Sequence, residues 1–339
     1  MAATLHDVAR LAGVSIKTVS NVINDYPHVR PTTRERVQAA ISELDYTPNL
    51  TARNLRSGRT GTIGLAVPDL GLAYFAELAA EVIAEAERAG VSVLVEQTGS
   101  DRHRELDLLR SAQRKLTDGL IFSPLGMSQE DVGYLDVPYP MVLLGERIFD
   151  GPVDHVTMRN VEAAKEATRS LLGAGRQRIA VIGAHNGEVI GSAGLRLRGH
   201  LEALEEAGVA MDPDLIGYTT LWHRANGALT MRELLARGVD FDAVFGLNDT
   251  LALGAMRVLQ EAGRSIPDDV AVIGWDDLDE AQYSIPSLTT VAPGRTWIAH
   301  TAVQTLLERI KNPDAAAEPR LRLADFRIVE RESARLTER

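Results

Sequence analysis

DVARLAGVSIKTVSNVIN, residues Asp7–Asn24, holds two helical repeats and a turn close to the start of the chain. Thr4 followed three residues later by Asp7 has the form of an N-cap with an acid at N3, which predicts a helix from near Leu5. Gly13 ends it in a tight turn, and Ser15 caps a second helix running to about Asn24. Val8, Leu11, Val14, Val19, Val22 and Ile23 supply the apolar side, with Ala9 small where the helices cross. Ser15, Ile16, Lys17, Thr18, Ser20 and Asn21 turn outward, a largely polar face that no core needs. The Ala9–Gly13–Val19 spacing matches a helix-turn-helix: close approach, turn, buried branched residue. In that motif the second helix enters the major groove. A third helix begins at Pro31, well placed at N1, and buries Val37, Ala40, Ile41 and Leu44.

Charge separates this DNA-reading interpretation from a plain helical hairpin with a solvated side. The chain has 339 residues and a net charge of −11. Residues 1–60 carry eight Lys/Arg against five acids, whereas the remainder carries 28 against 42. A basic head on an acidic body suits a polyanion-binding module joined to a different domain. With 45% hydrophobic residues the chain can bury a sizeable core in more than one domain. The absence of cysteine excludes disulfides and thiolate metal sites and agrees with a reducing compartment. Met1–Arg10 has no apolar run of the secretory type, and no run approaches the roughly 20 residues that span a bilayer. The expectation is a cytoplasmic protein without a membrane segment, resident metal or cofactor.

From Thr62 onward, short apolar runs alternate with amphipathic segments. The runs are TIGLAVP, VSVLVEQ, GLIFSP and PMVLLG, then RIAVIGA, LIGYTT, AVFGLN and VAVIGWDD. Helical stretches include Phe75–Ala89, Asn160–Gly173, Leu195–Ala207 and Thr250–Ala262. Strands apolar throughout imply parallel sheets covered on both faces. The pattern occurs twice, with a break near Thr157–Asn160, and two doubly wound lobes place a ligand beyond their strand ends. The fold class is therefore α/β, with a small all-α headpiece. No phosphate-binding GxxxxGK[ST] loop, GxGxxG, HExxH or GxSxG is present, which argues against an enzyme.

Between headpiece and body lies YTPNLTARNLRSGRTGTIGL, where Pro48 starts a short helix (Asn49 to Arg56) and Gly58 and Gly61 loosen the stretch before the first strand. Here the chain resembles the lactose/galactose repressor family. The headpiece is similar to that family's DVAxxAGVSxxTVSxVxN, and the linker to its PNxxAxxL hinge helix. LRLRGHLEALEEAG resembles its RxxGFxxAL segment, GLNDTLALGAM its NDxxAxGxM, and VIGWDDLDEAQYSIPSLTTV its VxGxDDxxxxxxxxPxLTTV.

The resemblance covers essentially the whole chain and implies a headpiece at 1–47, a hinge helix and linker at 48–60, and an effector-binding core at 61–339. That core resembles periplasmic sugar-binding proteins, with one lobe at about 61–159 and 292–320 and another at about 160–291 and 321–339, joined by three crossing strands. It further implies a homodimer on pseudo-palindromic double-stranded operator DNA, acting as a repressor under a small effector. No leucine-heptad tail appears, so a tetramerising coiled coil is not expected.

On the DNA side, Lys17 and Asn21 can donate to purine edges and Ile16 can touch a thymine methyl. Ser15, Thr18, Ser20, Asn24 and His28 are phosphate anchors by residue type, and Thr4 is a further DNA-contact candidate. The resemblance places Leu55 where paired hinge helices wedge a minor-groove base step, with Ala52 and Arg56 beside it. In the core it marks Arg196, Asn248, Asp276, Trp222, Tyr74 and Phe75 as effector residues, with Glu146 and Ser192 also in the set. Core packing is the alternative for Phe75 and Trp222, and a strand-end turn acid for Asp276.

One stacking face among hydroxyl-binding groups points to a saccharide or sugar phosphate. A nucleobase between Tyr74 and Trp222, a protein corepressor, or a sugar-binding protein without DNA activity are the other readings. Arg159 stands where the family often has an acid, and His200 follows Gly199 in place of an aromatic. Ile16, Lys17 and Asn21 differ from the lactose repressor's reading residues, so its operator is not implied.

Overall fold

The computed structural model describes residues 3–23, 26–46, 59–312 and 318–336. Asn24 and the hinge candidates Ala52, Leu55 and Arg56 lie outside the described residues. The chain divides into a small unit, Met1–Thr60, and a large one, Gly61–Arg339. No helix among the described residues is long and apolar enough to cross a membrane.

The small unit contains three helices, Leu5–Ala12 (α1), Ile16–Ile23 (α2) and Pro31–Glu43 (α3). Thr4 and Asp7 form the expected capping box on α1. Gly13 closes that helix at φ 61°, in the left-handed region that favours glycine. Arg36 of α3 donates to the carbonyl oxygens of Ala12 and Gly13, placing a cation at the negative end of α1. Val8, Ala9, Ala12, Val19, Val22, Val37 and Ala40 form the core, with Ile41 and Leu44 packed against it. Leu11, expected on the apolar side, is 46% exposed. The stripe of α1 runs through Leu5, Val8, Ala9 and Ala12, the i, i+3, i+4, i+7 positions, and Leu11 falls off it.

The large unit holds two six-stranded sheets. In the first, Thr62–Val67 (β1), Ser92–Gln97 (β2), Leu120–Phe122 (β3), Met141–Leu144 (β4) and Asp154–Met158 (β5) are all parallel. Helices Ala73–Arg88 (α4) and Arg102–Arg110 (α5) cover it. The second contains Ile179–Ala184 (β6), Ile216–Tyr218 (β7), Ala243–Gly246 (β8), Ala271–Trp275 (β9) and Thr289–Ala292 (β10), with Asn160–Gly173 (α6), Ser192–Glu206 (α7), Arg224–Ala236 (α8), Asp249–Glu261 (α9) and Asp279–Tyr283 (α10). Helix α7 begins at Ser192, a turn before the expected Leu195, because Gly194 does not break the helix there.

After β10 the chain returns to the first lobe as Arg295–Lys311 (α11), whose apolar side joins the core of β1 and α4. It then forms Leu321–Ala324 (β11) and Arg327–Val329 (β12). The sequence assigns residues 321–324 to the second lobe. Instead β11 pairs in parallel with β5, Leu321 opposite His155, and only β12 joins the second sheet, antiparallel to β10. The last crossing thus falls between Ala324 and Arg327. Both strands lie at sheet edges and are largely exposed, so neither reads as an apolar run.

Candidate functional site

On the small unit, Lys17 and Ser15 of the second helical segment are exposed, and Thr18, Ser20 and Asn21 are half-buried. The Ser15 hydroxyl accepts from the Thr18 amide at 3.1 Å, so it caps α2, and lies 2.9 Å from the Thr18 hydroxyl. Ile16 is only partly outward: it is half-buried and packs on the headpiece core. Thr4 is engaged in the α1 capping box. His28 is exposed and meets Tyr26 edge to face, ring centroids 5.4 Å apart.

A cleft of about 290 Å³ lies between the lobes of the large unit. Tyr74, Phe75, Glu146, Ser192, Arg196, Trp222, Asn248 and Asp276 all line it. Parallel strands end here, which is where doubly wound sheets present their ligand-binding loops.

Arg196 projects from α7 and is 3% exposed. Its Nε donates to Asn160 Oδ1 at 2.9 Å and its Nη1 to the Leu247 carbonyl at 2.5 Å. The guanidinium lies over Trp275 at 4.1 Å and over Trp222 at 5.3 Å. Two indoles thus hold a charged plane in a fixed orientation. Trp275 is fully buried at the end of β9.

Asp276 follows Trp275 at φ 118°, backbone that a non-glycine residue rarely adopts. Its amide donates to Val291 O and its carbonyl accepts from Arg295 Nη1, both at 2.9 Å. Arg295 is itself paired with Glu77 and Glu81 of α4 at 2.7 and 3.0 Å, so a residue of the crossing segment clamps the strained turn. Among the described residues no protein donor reaches the Asp276 carboxylate. Burial raises its pKa to about 7, against the pull of Arg196 and Arg295. Asp277 turns the other way and pairs with Arg331 at 2.6 Å. The two acids of WDD therefore have separate roles.

Asn248 caps α9, accepting from Leu251 N at 2.8 Å and from the Thr250 hydroxyl at 3.1 Å, while its Nδ2 donates to Trp222 O at 3.2 Å. The donor–acceptor pair read from sequence is thus mostly engaged in positioning its neighbours. Trp222 Nε1 donates to Gly183 O at 2.9 Å. Glu146 accepts from Thr157 at 2.9 Å and, across the lobes, from Ser192 at 2.6 Å. Burial and the carboxylates of Asp276 and Glu146 push the Tyr74 phenol upward, so it stays protonated. Phe75 meets the Tyr74 ring edge to face at 5.2 Å.

Sequence reasoning missed several cleft residues. Arg147 of the first lobe pairs with Glu188 of the second at 3.0 Å, and Glu188 also holds His185 Nδ1 at 2.9 Å. They sit on loops, outside any periodic signal. Asp249 is wholly buried, accepting from Thr290 Oγ1 at 2.6 Å and Leu278 N at 2.9 Å, and burial raises its pKa well above the usual range. A Cβ on Gly274 would stand 2.2 Å from its carboxylate, which explains the glycine in VIGWDD. That close approach was the available signal. No group of three or more His, Asp or Glu able to hold a metal occurs among the described residues.

A helix-turn-helix unit carrying excess basic charge, joined to a two-lobed ligand cleft, defines a DNA-binding transcriptional regulator under small-molecule control. Residues 4–49 match the model for bacterial regulatory proteins of the lacI family, and residues 168–334 that for a periplasmic binding protein-like domain. The chain belongs to the LacI family, whose members are transcriptional regulators and not enzymes. It is 34% identical to the ribose operon repressor of Haemophilus influenzae (92% of this chain, 93% of that one). It is 35% identical to the HTH-type transcriptional regulator CelR of Thermobifida fusca (97% and 98%).

Among solved structures, a LacI-family regulator from Sanguibacter keddieii is 52% identical with a TM-score of 0.76, covering 81% of this chain and 99% of that one. A CelR–cellobiose complex gives 32% identity and 0.71 (98% and 100%). A lac repressor dimer bound to operator and the anti-inducer ONPF gives 27% and 0.81 (98% and 99%).

Proposed function

We propose that the chain acts as a homodimeric repressor whose hold on a pseudo-palindromic operator is set by a saccharide in the interlobe cleft. The observation that carries the ligand half is Asp276: a carboxylate 4% exposed, held in strained backbone, with no donor to it among the described residues. A buried anion of this kind is costly until a partner supplies hydrogen bonds. Vicinal hydroxyls do so, and the indole of Trp222 offers an apolar face to a sugar ring. The relatives named for ribose and solved with cellobiose point the same way, and the dimer rests on the likeness to the lac repressor dimer.

In this reading Lys17 and Asn21 meet base edges, with Ile16 at a thymine methyl. Ser15, Thr18, Ser20, Asn24 and His28 hold phosphates, with Thr4 at the edge of the contact. Ala52, Leu55 and Arg56 enter the minor groove at the operator centre. Ligand binding changes lobe closure, and closure biases the linker between core and headpiece. Control then comes from unequal affinity for two states. The test is to select a binding site from random duplex DNA, then measure its affinity by anisotropy against a panel of sugars and nucleobases. A sugar that lowers operator affinity supports the reading. Operator affinity indifferent to every compound, or responsive to a nucleobase alone, removes it.

A further inference from the structure

The polar atoms left unengaged in the cleft are mostly acceptors. The Asp276 carboxylate accepts nothing from the described residues. His185 lies with Nδ1 2.9 Å from Glu188 Oε2; a carboxylate only accepts, so the ring donates through Nδ1 and leaves Nε2 as an acceptor. That Nε2 is buried and has no partner among the described residues. Arg147, fixed by Glu188 and by the Met127 carbonyl at 3.3 Å, holds this arrangement from the other lobe.

The donors are largely engaged already. Three N–H groups of Arg196 go to Asn160, Leu247 and Met158. The hydroxyls of Ser192 and Thr157 both point to Glu146. The Thr250 hydroxyl and the Asn248 amide both donate to Trp222 O. In charge, the lining has four carboxylates, Asp69, Glu146, Glu188 and Asp276, against two guanidiniums, Arg147 and Arg196.

A site rich in acceptors and in negative charge selects a ligand that brings donors and no anion. We infer that the effector is an uncharged, hydroxyl-rich molecule, an unphosphorylated and non-acidic saccharide or polyol, and that His185 Nε2 seats one of its hydroxyls. This deepens the reading above and rests on the cleft being the effector site. A phosphoryl or carboxyl group offers only acceptors at neutral pH and meets like charge, and among the described residues no unpaired cation lines the cleft to receive it.

The experiment uses the full-length protein, with calorimetry and tryptophan fluorescence as readouts. The panel contains neutral mono- and disaccharides, their phosphorylated and uronic-acid counterparts, heterocyclic bases, and inorganic phosphate as a bare anion probe. The expected result is a neutral saccharide that binds, with its phosphorylated counterpart weaker by about tenfold or more. Inorganic phosphate should match chloride at equal ionic strength. His185→Ala should weaken the neutral ligand by about tenfold, and His185→Gln, which keeps an acceptor, should restore most of it. A sugar phosphate or sugar acid as the tightest ligand, saturable phosphate binding, or no binding by any neutral saccharide overturns the inference. A neutral saccharide that binds without altering operator affinity leaves it standing and removes the regulatory reading instead.

Discussion

Ser192 donates to Glu146 at 2.6 Å from the opposite lobe, at the first residue of α7. With the Arg147–Glu188 pair it forms a polar seam that joins the lobes directly over the cleft. Hydrogen bonds to charged groups contribute about 1.5–3 kcal/mol, so Ser192→Ala should shift the lobes toward an open state by a comparable amount. Small-angle scattering without ligand should show a larger radius of gyration. An unchanged profile would mean the contact is passive.

Asp276 gives effector binding a pH dependence. Hydroxyls donating to its carboxylate favour the ionised form, and the group titrates near 7 before ligand arrives, among Arg196, Arg295, Glu77 and Glu146. Binding then releases a proton, and affinity should fall by about tenfold per pH unit below 7. Asp276→Asn should flatten that profile, and Asp276→Ala should lose about 1.5–3 kcal/mol of binding while operator affinity survives. Affinity that rises on acidification would mean Asp276 is the donor.

His200 affects stability in acid. It is 2% exposed, lies 2.9 Å from Thr168 Oγ1, and sits 6.3 Å from the Phe245 ring. Burial lowers its pKa from 6.5 to about 4. The unfolded chain therefore protonates first, and stability should fall as pH drops from 6.5 toward 4, by up to about 3 kcal/mol. Urea titrations of wild type and His200→Phe across that window would measure it. Parallel slopes for the two proteins would assign the acid loss to other groups.

Lys17→Ala should relax sequence preference at one position of each operator half-site, at a cost of about 1–3 kcal/mol. Competition against a mutated half-site is the measurement. Equal weakening on every sequence would make Lys17 a phosphate contact.

Leu55→Ala should lower specific operator affinity and reduce the bend at the operator centre, with effector binding intact. Circular permutation of the operator, or energy transfer between its ends, reads the angle. An operator already straight with the wild-type protein would end the wedge assignment.

Most of the fold was legible because its strands are buried on both faces. TIGLAVP and RIAVIGA carry apolar residues at nearly every position, as covered parallel strands do. Edge strands β11 and β12 were not, since LRLA and RIV each present arginine to solvent. The eight cleft candidates came from motif order, which fixes where a residue stands and not what it touches. Asn248 shows the difference: residue type gave its donor and acceptor, and the helix it caps takes most of both. Ile16 and Leu11 exchanged expectations because one turn of helix decides which side a residue takes. His185 and Glu188 had no signal, for they meet only once the loop after β6 folds against Arg147.

The three crossings between lobes bear on how the molecule is made. Each sheet contains a strand from the far end of the chain, β11 in the first and β12 in the second. A chain emerging from the ribosome therefore cannot complete either sheet until residues 321–329 have appeared. The headpiece core draws only on residues within the first 46 and needs no such partner. During synthesis its helices can form while the core still lacks its last strands, so a nascent chain passes through a period with a finished DNA reader and an unfinished sensor.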